Sequence, residues 1–147
     1  MQERQFDIKN LKRISKDQCF ICKNQIATED IIYEDKDIIA FLDLYPPTKG
    51  YTLVATKKHI EEVTELSKKE YLTLQEILFK ISEAIKKSFN PKRICLLKSG
   101  DLVPHLHFHI IPMYKDINFL DVLIKKSILE LSKEERKEIS SEIKKNM

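Results

Sequence analysis

Apolar and polar positions along the chain divide it into short strand-like runs around one long helical stretch. Ile31-Ile32-Tyr33-Glu34-Asp35 and Ile38-Ile39-Ala40-Phe41-Leu42-Asp43 are rich in β-branched and aromatic residues. They predict two strands, with Asp35-Lys36-Asp37 as the hairpin turn between them. Tyr45-Pro46-Pro47-Thr48-Lys49-Gly50 predicts a rigid loop, because neither proline can donate to a ladder, and Tyr51 to Thr56 a third strand. Ser67-Lys68-Lys69-Glu70 has the form of a capping box. Behind it Tyr71, Leu74, Ile77, Leu78, Ile81 and Ile85 recur at helical spacing, until Asn90-Pro91 ends the helix.

Arg93 to Lys98 reads as a fourth strand, Ser99-Gly100-Asp101 as a turn, and the segment from His105 as a fifth strand paired with the fourth. Pro104 and Pro112 are expected to bound that strand. A weaker helical lead-in spans Asp7 to Lys16. A last amphipathic helix starts at Ser132-Lys133-Glu134-Glu135, with Ile139 and Ile143 as its apolar stripe. The order predicts an α+β fold, a five-stranded antiparallel sheet with one long helix on a face and short helices at both ends.

At 147 residues and 42% hydrophobic, the chain suits a single domain with its own core. The expected core spans about 19–114, with 115–147 as a helical tail. No apolar run is long enough to span a bilayer, and the charged start lacks a signal core, so a cytoplasmic protein is expected. The net charge of +3 comes from interspersed signs rather than a basic stripe, which argues against a nucleic-acid partner. Cys19, Cys22 and Cys95 are too few and too odd in number for a disulfide framework. Cys95 reads as an ordinary core residue.

Three of the four histidines fall within His105-Leu106-His107-Phe108-His109-Ile110-Ile111. On a strand, Leu106, Phe108 and Ile110 would face a core while the three imidazoles share the opposite face. Imidazole is a nucleophile that is largely neutral near pH 7. His107 can therefore attack an α-phosphorus, forming a labile phosphorus–nitrogen bond that water then opens. Two of the row can instead bind one zinc ion with an open water position. All three on one ion is awkward, since the outer pair lie about 7 Å apart along a strand. The Cys19-x-x-Cys22 pair reads as half a zinc site or as a redox motif. With His59 and one histidine of the row it completes four tetrahedral donors, and it lacks the βαβ setting of a thioredoxin-like pair.

The seven-residue row fits the histidine-triad signature of alternating histidine and apolar residues, and the chain resembles that superfamily of nucleotide hydrolases and transferases. The resemblance extends through Cys19-Phe20-Ile21-Cys22, Tyr33-Glu34-Asp35, Ala40-Phe41-Leu42-Asp43, Gly50-Tyr51-Thr52-Leu53-Val54 and Lys57-Lys58-His59-Ile60. It implies a homodimer whose sheets join across a two-fold axis. It also implies that His107 is the nucleophile, that His109 contacts the α-phosphate and that Asp43 holds the ribose hydroxyls. Phe20, Phe41 and Leu44 would form the slot for a purine base. Ser99 and Gly100 read by themselves as a turn, whose amides beside the row can also bind phosphate. The zinc-containing branch implies Cys19, Cys22, His59 and His105 as the ligands of a structural zinc ion.

The chain departs from that pattern in three places. Cys95 stands where many relatives carry a phosphate-reaching asparagine, and Met113 where they carry an arginine. Gly100-Asp101-Leu102-Val103-Pro104 replaces a Gly-Gln-Ser/Thr segment. The expected function is a nucleotide hydrolase or nucleotidyltransferase, cleaving a purine nucleotide conjugate (a phosphoramidate or dinucleoside polyphosphate) at the α-phosphate. The alternatives are a zinc-water metallohydrolase and a weakly active nucleotide-binding or scaffold protein.

Overall fold

The computed structural model describes residues 14–100 and 102–147. Most of the expected lead-in helix, and Asp101 of the expected turn, lie outside the described residues. The described end of the lead-in is one 3-10 turn, Lys16–Gln18. Strands β1 (Ile31–Glu34), β2 (Ile38–Leu42), β3 (Thr52–Thr56), β4 (Arg93–Leu97) and β5 (His107–Met113) form one sheet. Its order is β1-β2-β3-β5-β4 and every pairing is antiparallel. The α+β architecture with a five-stranded sheet is the one the residue pattern predicts.

Local chemistry sets the boundaries. Asp35 turns the first hairpin by accepting from the amides of Asp37 and Ile38, each at 2.8 Å. Helix α1 (Lys68–Phe89) opens on the Ser67–Glu70 capping box. Such a cap stabilises a helix by about 1 kcal/mol. The helix ends where Asn90 takes the left-handed conformation at φ 47°.

The sheet has two buried faces. Ile38, Ala40, Val54, Phe108 and Ile110 face Leu74, Leu78, Ile81 and Ile85 of α1, together with Ile139 and Ile143 of α3 (Lys133–Lys145). Cutting any of those fully buried helix side chains to alanine would cost about 2–5 kcal/mol. The opposite face carries Ile39, Phe41, Leu53, Ala55, Ile111 and Met113 under Cys19, Ile21 and Val122. Val122 comes from α2 (Phe119–Leu123), a short helix that the apolar pattern did not predict. Covering on both sides explains why β2 and β3 are buried at every position.

Strand β5 corrects two expectations. His105 lies just before the strand, where its amide bonds back to the Val103 carbonyl. Pro112 lies inside the strand rather than at its boundary, opposite Ile94 of β4. The β3 ladder has already ended at the Thr52–Ile110 pair, so a missing amide beyond that point breaks nothing on that side. No helix among the described residues is long and apolar enough to cross a membrane.

Candidate active site and metal centre

Two groups of histidines form around the start of β5. In the first, Cys19, Cys22, His59 and His105 bring four ligand atoms within 4.8 Å of one another. A tight turn, with the Lys23 amide on the Cys19 carbonyl at 3.1 Å and Asn24 at φ 52°, presents the two sulfurs. Cys22 Sγ lies 3.1 Å from His59 Nδ1 and 3.4 Å from His105 Nδ1. Cys19 Sγ is 3.3 Å from His105 Nδ1, and the two Nδ1 atoms are 3.2 Å apart. A tetrahedral zinc ion with bonds of about 2.0–2.3 Å has ligand–ligand edges of about 3.3–3.8 Å, close to these separations.

The protonation chemistry agrees with that fit. His105 Nε2 donates to the Thr56 carbonyl at 2.5 Å, which leaves the Nδ1 lone pair facing the sulfurs. Burial holds the His105 pKa below its ordinary value, so the ring is neutral. Burial and then the adjacent Cys19 thiol push the Cys22 thiol up. Two thiols and two imidazoles in contact form a donor set that a soft divalent cation satisfies.

The second group faces a cavity of about 350 Å³, lined by His107, His109, Asp43, Phe20, Phe41, Leu44 and Ser99 among others. That size falls within the range of about 300–1,000 Å³ typical of small-molecule sites. Gly100 is not among the lining residues; it takes φ +76° in the turn beside it. Phe20 and Phe41 meet edge to face at 6.0 Å and form an aromatic wall.

His107 Nδ1 bonds the His105 carbonyl at 2.6 Å. A carbonyl only accepts, so Nδ1 carries the proton and Nε2 keeps its lone pair. Burial lowers the His107 pKa, which keeps the ring neutral. Opposite it on β3 stands Ala55, whose small side chain leaves room for the imidazole. The His109 ring lies 4.8 Å from that of His107, and its Nδ1 is 2.9 Å from the Tyr51 hydroxyl. Burial, then the neighbouring His107, pulls the His109 pKa down to about 4.

Several residues here are not singled out by the sequence. Lys125, at φ 46° just after α2, directs Nζ to Asp43 Oδ2 at 2.7 Å. Asp43 Oδ1 accepts from the Tyr45 amide at 3.1 Å. From α3, Arg136 donates to the carbonyls of Asp43 at 2.8 Å and Leu42 at 3.4 Å, and pairs with Asp30 at 2.6 Å. The tail thus grips Asp43 at both its carboxylate and its carbonyl. Nothing in the spacing of residues 115–147 signals this. Tyr51, by contrast, lies one pleat beyond Leu53, the partner of His109 across the β3–β5 ladder, so the register alone points to it.

Comparison with known proteins places these features in a lineage. Residues 24–116 match the model of the HIT domain. The chain is 35% identical over 140 residues to "Protein hit" of Bacillus subtilis, covering 89% of this chain and 95% of that protein. It is 33% identical over 103 residues to an adenosine 5'-monophosphoramidase of Schizosaccharomyces pombe, covering 64% of this chain and 73% of that one. A Hit-like protein from Bartonella henselae superposes with a TM-score of 0.71 at 28% identity, covering 87% and 92% of the two chains. With its histidine row, its five-stranded sheet and a family match across most of its length, this chain belongs to the HIT family.

Proposed function

We propose that the protein hydrolyses purine nucleotide conjugates at the α-phosphate, through a nucleotidyl intermediate on His107. The observation that carries this reading is the His107 tautomer. Its Nδ1–H is committed to the His105 carbonyl, and Nε2 is the nitrogen left with a lone pair at a nucleotide-sized cavity. Attack by Nε2 forms the phosphorus–nitrogen bond as the bond to the leaving group breaks. The His105 carbonyl stabilises the positive charge that grows on the ring. The leaving group takes up a proton as it departs. Water then breaks the phosphorus–nitrogen bond and releases a proton with the nucleoside monophosphate, so the net co-reactant is one water molecule. Transfer to an acceptor other than water would use the same intermediate.

His109 Nε2 is assigned to an α-phosphate oxygen, and Asp43 to the ribose hydroxyls. Phe20, Phe41 and Leu44 receive the base. The relative named as an adenosine 5'-monophosphoramidase supports a phosphoramidate as the first substrate to try. Cys19, Cys22, His59 and His105 would hold a structural zinc ion, which when bound ties the N-terminal turn to the segment just before β5. Four protein donors close such a site, which argues against a zinc-bound water as the nucleophile. A homodimer is supported by β4, an edge strand with Leu96 55% exposed.

The test is His107→Ala with an adenosine phosphoramidate. AMP release should fall by about a thousandfold or more. Mass spectrometry of the quenched native enzyme should show an AMP adduct on His107. Turnover unchanged in the variant would overturn the reading.

A further inference from the structure

The geometry points to Tyr51 as a positioning residue that fixes the proton of His109 on Nε2, and so turns that ring into a phosphate donor. The inference deepens the reading above and rests on it for the role of His109. The Tyr51 hydroxyl lies 2.9 Å from His109 Nδ1, and the two rings stand nearly perpendicular at 5.8 Å. Tyr51 is 4% exposed, so no solvent network competes for its hydroxyl. Among the described residues that hydroxyl has no other acceptor. If Nδ1 carried the proton and donated, the phenolic proton would be buried with no partner, at a cost of about 1–3 kcal/mol. The phenol therefore donates to Nδ1, and the proton of the neutral imidazole sits on Nε2.

This arrangement mirrors that of His107. There a carbonyl, which can only accept, draws the proton to Nδ1 and frees Nε2 as a lone pair. Here a hydroxyl with one proton to give does the reverse. Two imidazoles on one strand face acquire opposite Nε2 chemistry, one nucleophilic and one donating. Asp43 and Lys125, the charged side chains that act on His109, are paired with each other at 2.7 Å. The phenol is left as the direct partner of Nδ1.

Side-chain nitrogen–proton correlation NMR on the full chain at neutral pH reads the tautomer, with His109→Gln to assign the signals. We expect an unprotonated, hydrogen-bonded Nδ1 and a protected phenolic proton that correlates with it. Tyr51→Phe should shift the Nδ1 resonance toward that of an unbonded nitrogen. On an adenosine phosphoramidate it should lower kcat about tenfold, with KM within about twofold. Tyr114→Phe, which removes a phenol bonded to the Lys49 carbonyl, should leave both readouts at native values. A protonated Nδ1 in the native chain, or a Tyr51→Phe variant with the native Nδ1 resonance, overturns the inference. The spectrum of the native chain decides even where Tyr51→Phe does not fold. It also decides where no turnover is found, which separates failure here from failure of the nucleophile assignment.

Discussion

The candidate metal centre and the cavity proposed for the nucleotide draw on histidines only two residues apart, yet they use them in opposite ways. His105 gives its Nε2 proton to the Thr56 carbonyl and turns Nδ1 toward two sulfurs. His107 gives its Nδ1 proton to the His105 carbonyl and keeps Nε2 for the cavity. For these two imidazoles, the role is set by which nitrogen meets a backbone acceptor. Position in the row does not set it alone. The two regions are also linked, because the residue that would hold the metal supplies the carbonyl that bonds Nδ1 of the proposed nucleophile.

The largest expected effect comes from removing each ring in turn. His107→Ala should lose activity by about three orders of magnitude while its Tm stays within a few degrees of native. His105→Ala should do the opposite first, losing metal and folded protein. Similar melting losses in both variants would erase the distinction. Stripping metal from the purified protein with a chelator should next lower Tm by about 10 °C or more, restored by zinc. Metal content and melting curves measured together check this.

Acid should act on the cavity side. The His109 pKa of about 4 lies below the value of about 6.5 for an unfolded histidine. The unfolded chain therefore binds the extra proton between these limits, so stability is full above about pH 6.5 and falls as pH drops toward 4. The contribution at stake is about 3 kcal/mol. Denaturant unfolding of native protein and His109→Gln should show a shallower pH slope in the variant. Ala55→Leu would crowd the space opposite His107 and should cut activity more than tenfold while leaving metal content intact. The smallest effect is expected at Lys125→Met. Removing the cation that pairs with Asp43 should raise KM about three- to tenfold for a ribonucleotide substrate, and less for its 2',3'-dideoxy counterpart.

The strand-forming runs, the Ser67 and Ser132 caps and the alternation through Ile110 were readable because each rests on neighbours within a few residues. Cys19, Cys22 and His59 with one histidine of the row are readable as a donor set from their chemistry, whereas the choice of His105 rests on the family resemblance. Pro112 departs from the expectation that a proline ends a strand, because the β3 ladder stops before it and no bond on that side is lost. Lys125 and Arg136 were out of reach. A lysine after a short helix and an arginine on an amphipathic one look like solvated surface until the tail is folded back onto Asp43.

That fold-back bears on where the molecule can be cut. Arg136 neutralises a buried carboxylate at Asp30 and supplies protons to two carbonyls at the end of β2. A protein shortened to residues 24–116 would keep the histidine row but lose the cation that pairs with Asp30, the donor to two carbonyls, and the Ile139 and Ile143 side chains packed on the sheet. The segment that the family model matches is thus smaller than the unit that these contacts tie together in this chain.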